Sequence, residues 1–167
     1  MTRWKPGELF AKLIINACIN SLGVIAGKKL GELLAMKTAR QIFTANMREA
    51  MAVAAAVGIK VARGGGGKLD YYRFLEGGCV LSRMKRSLLI RVIGFKYRRV
   101  KSSSLQSLER GRKTEIDYLN GYICARGRQH GVPTPTNDAV VRMVKEIEGG
   151  QRKMTPENLK DAVFAKL

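Results

Sequence analysis

From Leu9 to Ile25 the chain is apolar almost throughout, with few helix breakers, and Gly27 stands just beyond it. A helix that is apolar on every side is normally buried, so other elements have to wrap it. No segment alternates apolar and polar residues convincingly, and the β-branched runs are short, so a sheet is not expected to do the wrapping. The fold class expected is therefore all-α, a packed helical bundle.

The other helices follow from their punctuation. One is predicted from about Met36 to Val57, rich in Ala, Met, Arg and Glu and stopped by Gly58. Gly64 to Gly67 is read as a flexible joint and Leu69 to Leu75 as a short helix. Leu81 to Val100 mixes apolar and basic residues without a clean period and is read as helical. Thr114-Glu115-Ile116-Asp117 fits a capping box, with Asp in place of the longer Glu, opening a helix to His130. Gly131 is its stop, and Pro133 and Pro135 make a rigid turn. Thr136 or Asn137 is expected to cap a helix running to about Glu148, and Thr155-Pro156-Glu157 opens a last short one. The 167 residues suit a single domain, 1–167, long enough to bury a real core.

Cys18, Cys79 and Cys124 are far apart and odd in number, and His130 has no Cys or His neighbour. Neither a zinc site nor a disulfide framework is expected, which fits a reduced, cytoplasmic protein. The apolar stretches are interrupted by Lys, Asn or Gly, short of the roughly 18 residues of a membrane span. Met1 to Phe10 carries Arg3, Lys5 and Glu8 with no cleavage signal behind it, so no signal peptide is expected.

The net charge is +18, and it is uneven: between Gly77 and Leu108 there are eight basic residues and no acidic one. Such a run attracts anions, so one reading is a small basic helical protein that binds nucleic acid through Arg83 to Lys101. Against it, the run holds only Phe95 and Tyr97 as aromatic residues and no nucleic-acid-binding motif. A solvated helix face, or steering of an anionic substrate, explains the same charges.

Lys12, Asn16 and Asn20 stand at i, i+4 and i+8, on one stripe of the first helix. Buried polar groups need partners, so this stripe either bonds to other elements or faces a cleft. A lysine held in apolar surroundings has a lowered pKa and can donate a proton near neutrality. The plain alternative is a solvated face with Lys12 outside. Ser102-Ser103-Ser104 beside basic residues can hold a carboxylate, and Glu115 at a helix start is favoured by the dipole. Taken alone, an ordinary polar loop and cap is the better explanation of both. Gly64 to Gly67 lacks the frame of a phosphate loop and has no strand before it.

Together these segments resemble the ketopantoate reductases. Lys12-Leu-Ile-Ile-Asn16-Ala-Cys-Ile-Asn20 is similar to that family's K-L-x-x-N-x-x-x-N segment. The block from Ser102-Ser103-Ser104 through Gln106, Gly111-Arg112 and Thr114-Glu115-Ile116-Asp117 is similar to its S-S-M-x-Q-D-x-x-x-G-R-x-T-E-I-D segment, and His130 to Asn137 to the helix-turn that follows. Ser21 and Lys113 stand where Pro is usual, Ser104 where Met is, and Ser107 where Asp is common.

The resemblance implies a C-terminal helical domain like that of 6-phosphogluconate dehydrogenase, paired with an N-terminal Rossmann domain that binds NADPH. It implies reduction of ketopantoate, or another 2-keto acid, to the 2-hydroxy acid in coenzyme A biosynthesis. Lys12 is then the general acid, Asn16 and Asn20 position the substrate, Ser103 binds its carboxylate, and Glu115 holds its hydroxyl and helps to orient Lys12. No G-x-G-x-x-G follows a strand here, so the Rossmann domain is expected to be missing from this chain, a fragment or truncated product that is inactive alone. The oligomeric state is left open, a homodimer included.

Overall fold

The computed structural model describes residues 5–65, 67–165 and 167. Met1 and Arg3 of the expected start, and Gly66 of the glycine run, lie outside the described residues. Among the described residues there are eight α-helices and no strand: α1 (Pro6–Ala26), α2 (Leu30–Ala35), α3 (Lys37–Ala56), α4 (Tyr71–Leu75), α5 (Val80–Lys96), α6 (Ser103–Glu109), α7 (Asn120–Gln129) and α8 (Pro135–Glu148). Two short 3-10 turns follow, Pro156–Lys160 and Ala162–Phe164. The all-α fold class is what forms.

α1 is the axis. It packs against α3, α6, α8, α2 and the 3-10 turn at Pro156–Lys160. Its Phe10, Ile14, Cys18, Leu22 and Ile25 are buried, and so are Ile42, Met47 and Val53 of α3 and Val140, Met143 and Val144 of α8. Gly27 ends α1 at φ 61°, a left-handed conformation that favours glycine. Contrary to the sequence expectation, α1 is long and apolar enough to cross a membrane, with a mean hydropathy of 1.8 over its best window. Two thirds of that window, 67%, is buried inside the fold, so other helices already occupy the surface that lipid would need.

Three local expectations are corrected. Thr114 to Asp117 does not open a helix. The Thr114 hydroxyl accepts from the Ile116 N–H at 3.2 Å and the Thr114 N–H donates to Glu148 at 2.6 Å, so residues 115–119 form turns and α7 begins at Asn120. The helix expected to be capped by Thr136 or Asn137 starts earlier, with Pro135 at its first position. The Thr136 and Asn137 N–H groups are instead taken up by Glu49 of α3. The serine block is not a loop: Ser102 caps α6 by accepting from the Leu105 N–H at 3.3 Å.

α5 packs on α2 and α3 through Arg86, Ile90 and Gly94. A Cβ on Gly94 would lie 2.7 Å from the Leu34 Cβ, so glycine sets the close approach of α5 to α2. Arg86 is buried, and its guanidinium donates to the carbonyls of Phe74, Leu75, Glu76 and Gly77. It therefore closes the end of α4 and is removed from the basic surface.

Candidate functional site

The stripe on α1 opens onto a cleft. Lys12 is exposed, Asn16 half-buried and Asn20 buried. Lys12 and Asn16, with Glu8, Ala11 and Ile15, form one wall of a space of about 530 Å³. The opposite wall runs from Ala62 to Tyr71 and includes Arg63, Gly64, Gly65 and Gly67. Lys12 is exposed at the cleft, as a solvated face would have it, and is not enclosed in apolar surroundings.

Backbone contacts hold that second wall against α1. The Ala62 N–H donates to the Gly7 carbonyl at 3.1 Å, and a Cβ on Gly7 would strike the Lys60 carbonyl. The Tyr71 hydroxyl donates to the Ala11 carbonyl at 2.6 Å, while the Val61 N–H donates to the Tyr72 hydroxyl at 3.0 Å. Gly64 and Leu69 exchange backbone bonds of 2.8 and 3.0 Å, closing the loop between them. The Tyr71 hydroxyl presses on Gly64, where a side chain would collide with it. Burial, and then the neighbouring Cys18, push the Tyr71 phenol above its ordinary range, so it acts as a neutral anchor. The sequence reading missed Tyr71 and Arg63, because only long-range contact brings them opposite Lys12.

The other candidates stand apart from that cleft. Asn20 lies two turns along α1, where its carbonyl accepts from the Ser102 hydroxyl at 3.4 Å. Gly23 makes room for that approach, since a Cβ there would lie 2.5 Å from Ser102 Oγ. Ser103 is exposed at the first position of α6, which packs on α1. Glu115 is exposed in the 115–119 turn, which the Thr114–Glu148 hydrogen bond and the 2.7 Å Lys145–Asp117 ion pair tie to α8. The fold thus brings Lys12 and Asn16 to one cleft, sets Asn20 beside the start of α6, and leaves Ser103 and Glu115 outside the cleft lining.

The described residues offer no frame for a dinucleotide. Among the described residues there is no strand leading through a glycine turn into a helix, the frame that carries a pyrophosphate. The run at Gly64 leads instead into the isolated bridge with Leu69. On α5 the basic residues are interspersed with apolar ones: Arg83, Lys85, Arg91 and Lys96 are exposed, and so are Val80, Leu81, Met84, Leu88, Leu89, Val92 and Phe95.

Residues 7–148 match the family described as ketopantoate reductase PanE/ApbA C terminal. The 2-dehydropantoate 2-reductase of Vibrio cholerae is 30% identical over 148 residues, covering 87% of this chain and 43% of that protein. That of Shigella flexneri is 30% identical over 141 residues, covering 84% and 39%. A PanE/ApbA family ketopantoate reductase from Ralstonia eutropha JMP134 superposes with a TM-score of 0.67 at 33% identity, over 87% of this chain and 42% of that one. The chain thus spans about two fifths of the length of these relatives.

Proposed function

We propose that this chain, which belongs to the ketopantoate reductase family as its C-terminal helical domain, is the substrate-binding and catalytic half of a 2-keto acid reductase. Ketopantoate is the substrate proposed, reduced to pantoate in the cytoplasm on the route to coenzyme A. A preceding Rossmann domain carries NADPH and supplies the hydride. The chain alone is then without turnover.

The residue roles rest on chemistry. The Lys12 ammonium stabilises negative charge as it builds on the keto oxygen and then gives that oxygen its proton, so it helps the transition state more than the bound substrate. Asn16 and Asn20 offer amide groups that orient the substrate, Ser103 offers a hydroxyl to its carboxylate, and Glu115 accepts from its hydroxyl. Ser103 and Glu115 stand outside the cleft that Lys12 and Asn16 line, so their roles rest on the family resemblance rather than on the cleft.

The observation that supports the reading most is the pairing of Lys12 and Asn16 on one wall of a cleft large enough for a small anion. The test is NADPH oxidation by the longer protein containing this chain, assayed with ketopantoate and a panel of other 2-keto acids. Ketopantoate should be turned over with the highest kcat/KM, and the isolated chain should be silent. Turnover of no 2-keto acid by the longer protein sinks the reading.

A further inference from the structure

A second cavity, apart from the Lys12 cleft, lies between α3 and the start of α5, with a volume of about 610 Å³. Sites for small molecules run from about 300 to 1,000 Å³. Its charge is all of one sign: Lys37, Arg40 and Arg48 line it from α3 and Arg83 and Arg86 from α5, with no Asp or Glu in the lining. None of these cations makes an ion pair among the described residues. Leu167 also lines the cavity, where its carbonyl oxygen accepts from the Gln41 amide at 3.0 Å. Cations gathered in one concavity repel one another, and an entering anion relieves that repulsion.

Two of the guanidiniums are fixed in advance. The half-buried Arg40 donates from Nε to the Ser87 hydroxyl at 2.7 Å and from Nη1 to the Leu34 and Ala35 carbonyls at 2.9 and 2.6 Å. The bonds of buried Arg86 to the carbonyls of residues 74–77 use Nε and Nη2 and leave Nη1 out. Burial, and then Arg91, lower the Arg40 pKa; burial, and then Arg48 and Arg83, lower that of Arg86. Arginine stays charged even so, and a bound anion is the partner that relieves both. α5 begins at the same cavity, through Gly78 and Val80, with no side-chain cap at Cys79 and no acidic residue in its first turn. The positive end of its dipole favours an anion there too.

The arrangement selects among anions. Arginine forks pair with carboxylate or phosphate, but a carboxylate has two oxygens in one plane, and these cations stand on two walls. A phosphate or diphosphate carries more oxygens, spread in three dimensions, and more charge. Val80, Met84 and Ala45 also line the cavity and suit an apolar body beside the charged group. A segment preceding α1 joins it elsewhere. The Gly7 carbonyl is held by the Ala62 N–H, past the end of α3 at Ala56, whereas the cavity lies along residues 37–48, at least about 12 Å back along that helix. We infer that the groove between α3 and α5 binds a small phosphorylated molecule, its phosphate groups held by the Arg40, Arg48, Arg83 and Arg86 guanidiniums.

The probe is inorganic pyrophosphate, titrated calorimetrically at physiological salt into the purified chain and into the longer protein containing it. One molecule should bind to each, with a Kd below about 1 mM, and inorganic phosphate should bind more weakly. Arg48→Gln/Arg83→Gln removes two exposed cations of the lining and should weaken binding by about tenfold or more with an unchanged Tm. Lys85→Gln/Lys96→Gln removes the same charge from exposed positions of α5 outside the lining and should leave binding within about twofold, because salt screens distant charges. Lys12→Ala should leave it unchanged, so the result does not depend on the reductase reading. Four results overturn the inference: no saturable binding of pyrophosphate, equal weakening by the two double variants, binding by the isolated chain that is lost in the longer protein, or tighter binding of a glutamate peptide or a short oligonucleotide than of pyrophosphate.

Discussion

Replacing Glu49 by Ala is expected to destabilise the fold more than any exposed substitution, although the residue lies far from the candidate cleft. Its carboxylate on α3 accepts from the Thr136 N–H at 2.8 Å, the Asn137 N–H at 2.9 Å and the Asn137 side-chain amide at 2.7 Å. The first two are N–H groups of the first turn of α8, which no carbonyl within that helix can satisfy. Asn137 is fully buried, so water does not easily replace the lost acceptor. Hydrogen bonds to a charged group contribute about 1.5–3 kcal/mol each, and a carboxylate at a helix N-terminus adds about 0.3–1 kcal/mol. Three bonds to one carboxylate are not additive, so the loss expected for Glu49→Ala is about 3–4 kcal/mol. For a chain of this size that lowers Tm by roughly 6–16 °C. Glu49→Gln, which keeps one acceptor oxygen in place, should cost about half as much. Thermal and urea unfolding followed by circular dichroism give both numbers. If Glu49→Ala melts within about 2 °C of the wild type, Glu49 does not cap α8 and the α3–α8 joint is held by apolar packing alone.

Three further outcomes follow from local structure. Cys79 is exposed and its thiol is held below the ordinary range by hydrogen bonding to Ser82, so a thiol reagent should label it first, and Ser82→Ala should slow that labelling near neutral pH. Burial pushes the Cys18 thiol upward and the Cys124 thiol up to about 12. Their protons are therefore bound more tightly in the folded state, and stability should be intact below the unfolded thiol value of about 8.5 and fall as pH rises above it. A urea midpoint that stays flat or rises through that window contradicts this. Gly94→Ala gains about 1 kcal/mol of helix propensity but forces a methyl to 2.7 Å from Leu34; overpacking of about 1–3 kcal/mol should win, lowering Tm by a few degrees.

What the sequence disclosed was local. α1 and α3 were legible because glycines mark their ends, as at Gly27 and Gly58, while the start of α8 was displaced because Pro135, read as part of a turn, is its first helical residue. The stripe of Lys12, Asn16 and Asn20 was legible from helical spacing alone. What faces that stripe was not, because the Ala62–Tyr71 wall is set by bonds from Ala62 to Gly7 and from Tyr71 to Ala11. The capping box at Thr114 misled because Glu148, 34 residues away, takes the Thr114 N–H. α2 went unseen because it is six residues long, with a single break at Met36 separating it from α3. α5 showed no clean period because its buried stripe holds an arginine and a glycine while its apolar residues face out.

The role of Lys12 is tested most directly by steady-state kinetics on the longer protein containing this chain, with NADPH and ketopantoate, comparing the wild type with Lys12→Ala. Lys12 is exposed, so its removal opens no core cavity and Tm should hold. Turnover should fall by about 10²-fold or more, the scale of lost general-acid catalysis. A variant that keeps near-normal kcat with an unchanged Tm contradicts the assignment and leaves the Lys12–Asn16 wall as a structural feature of α1.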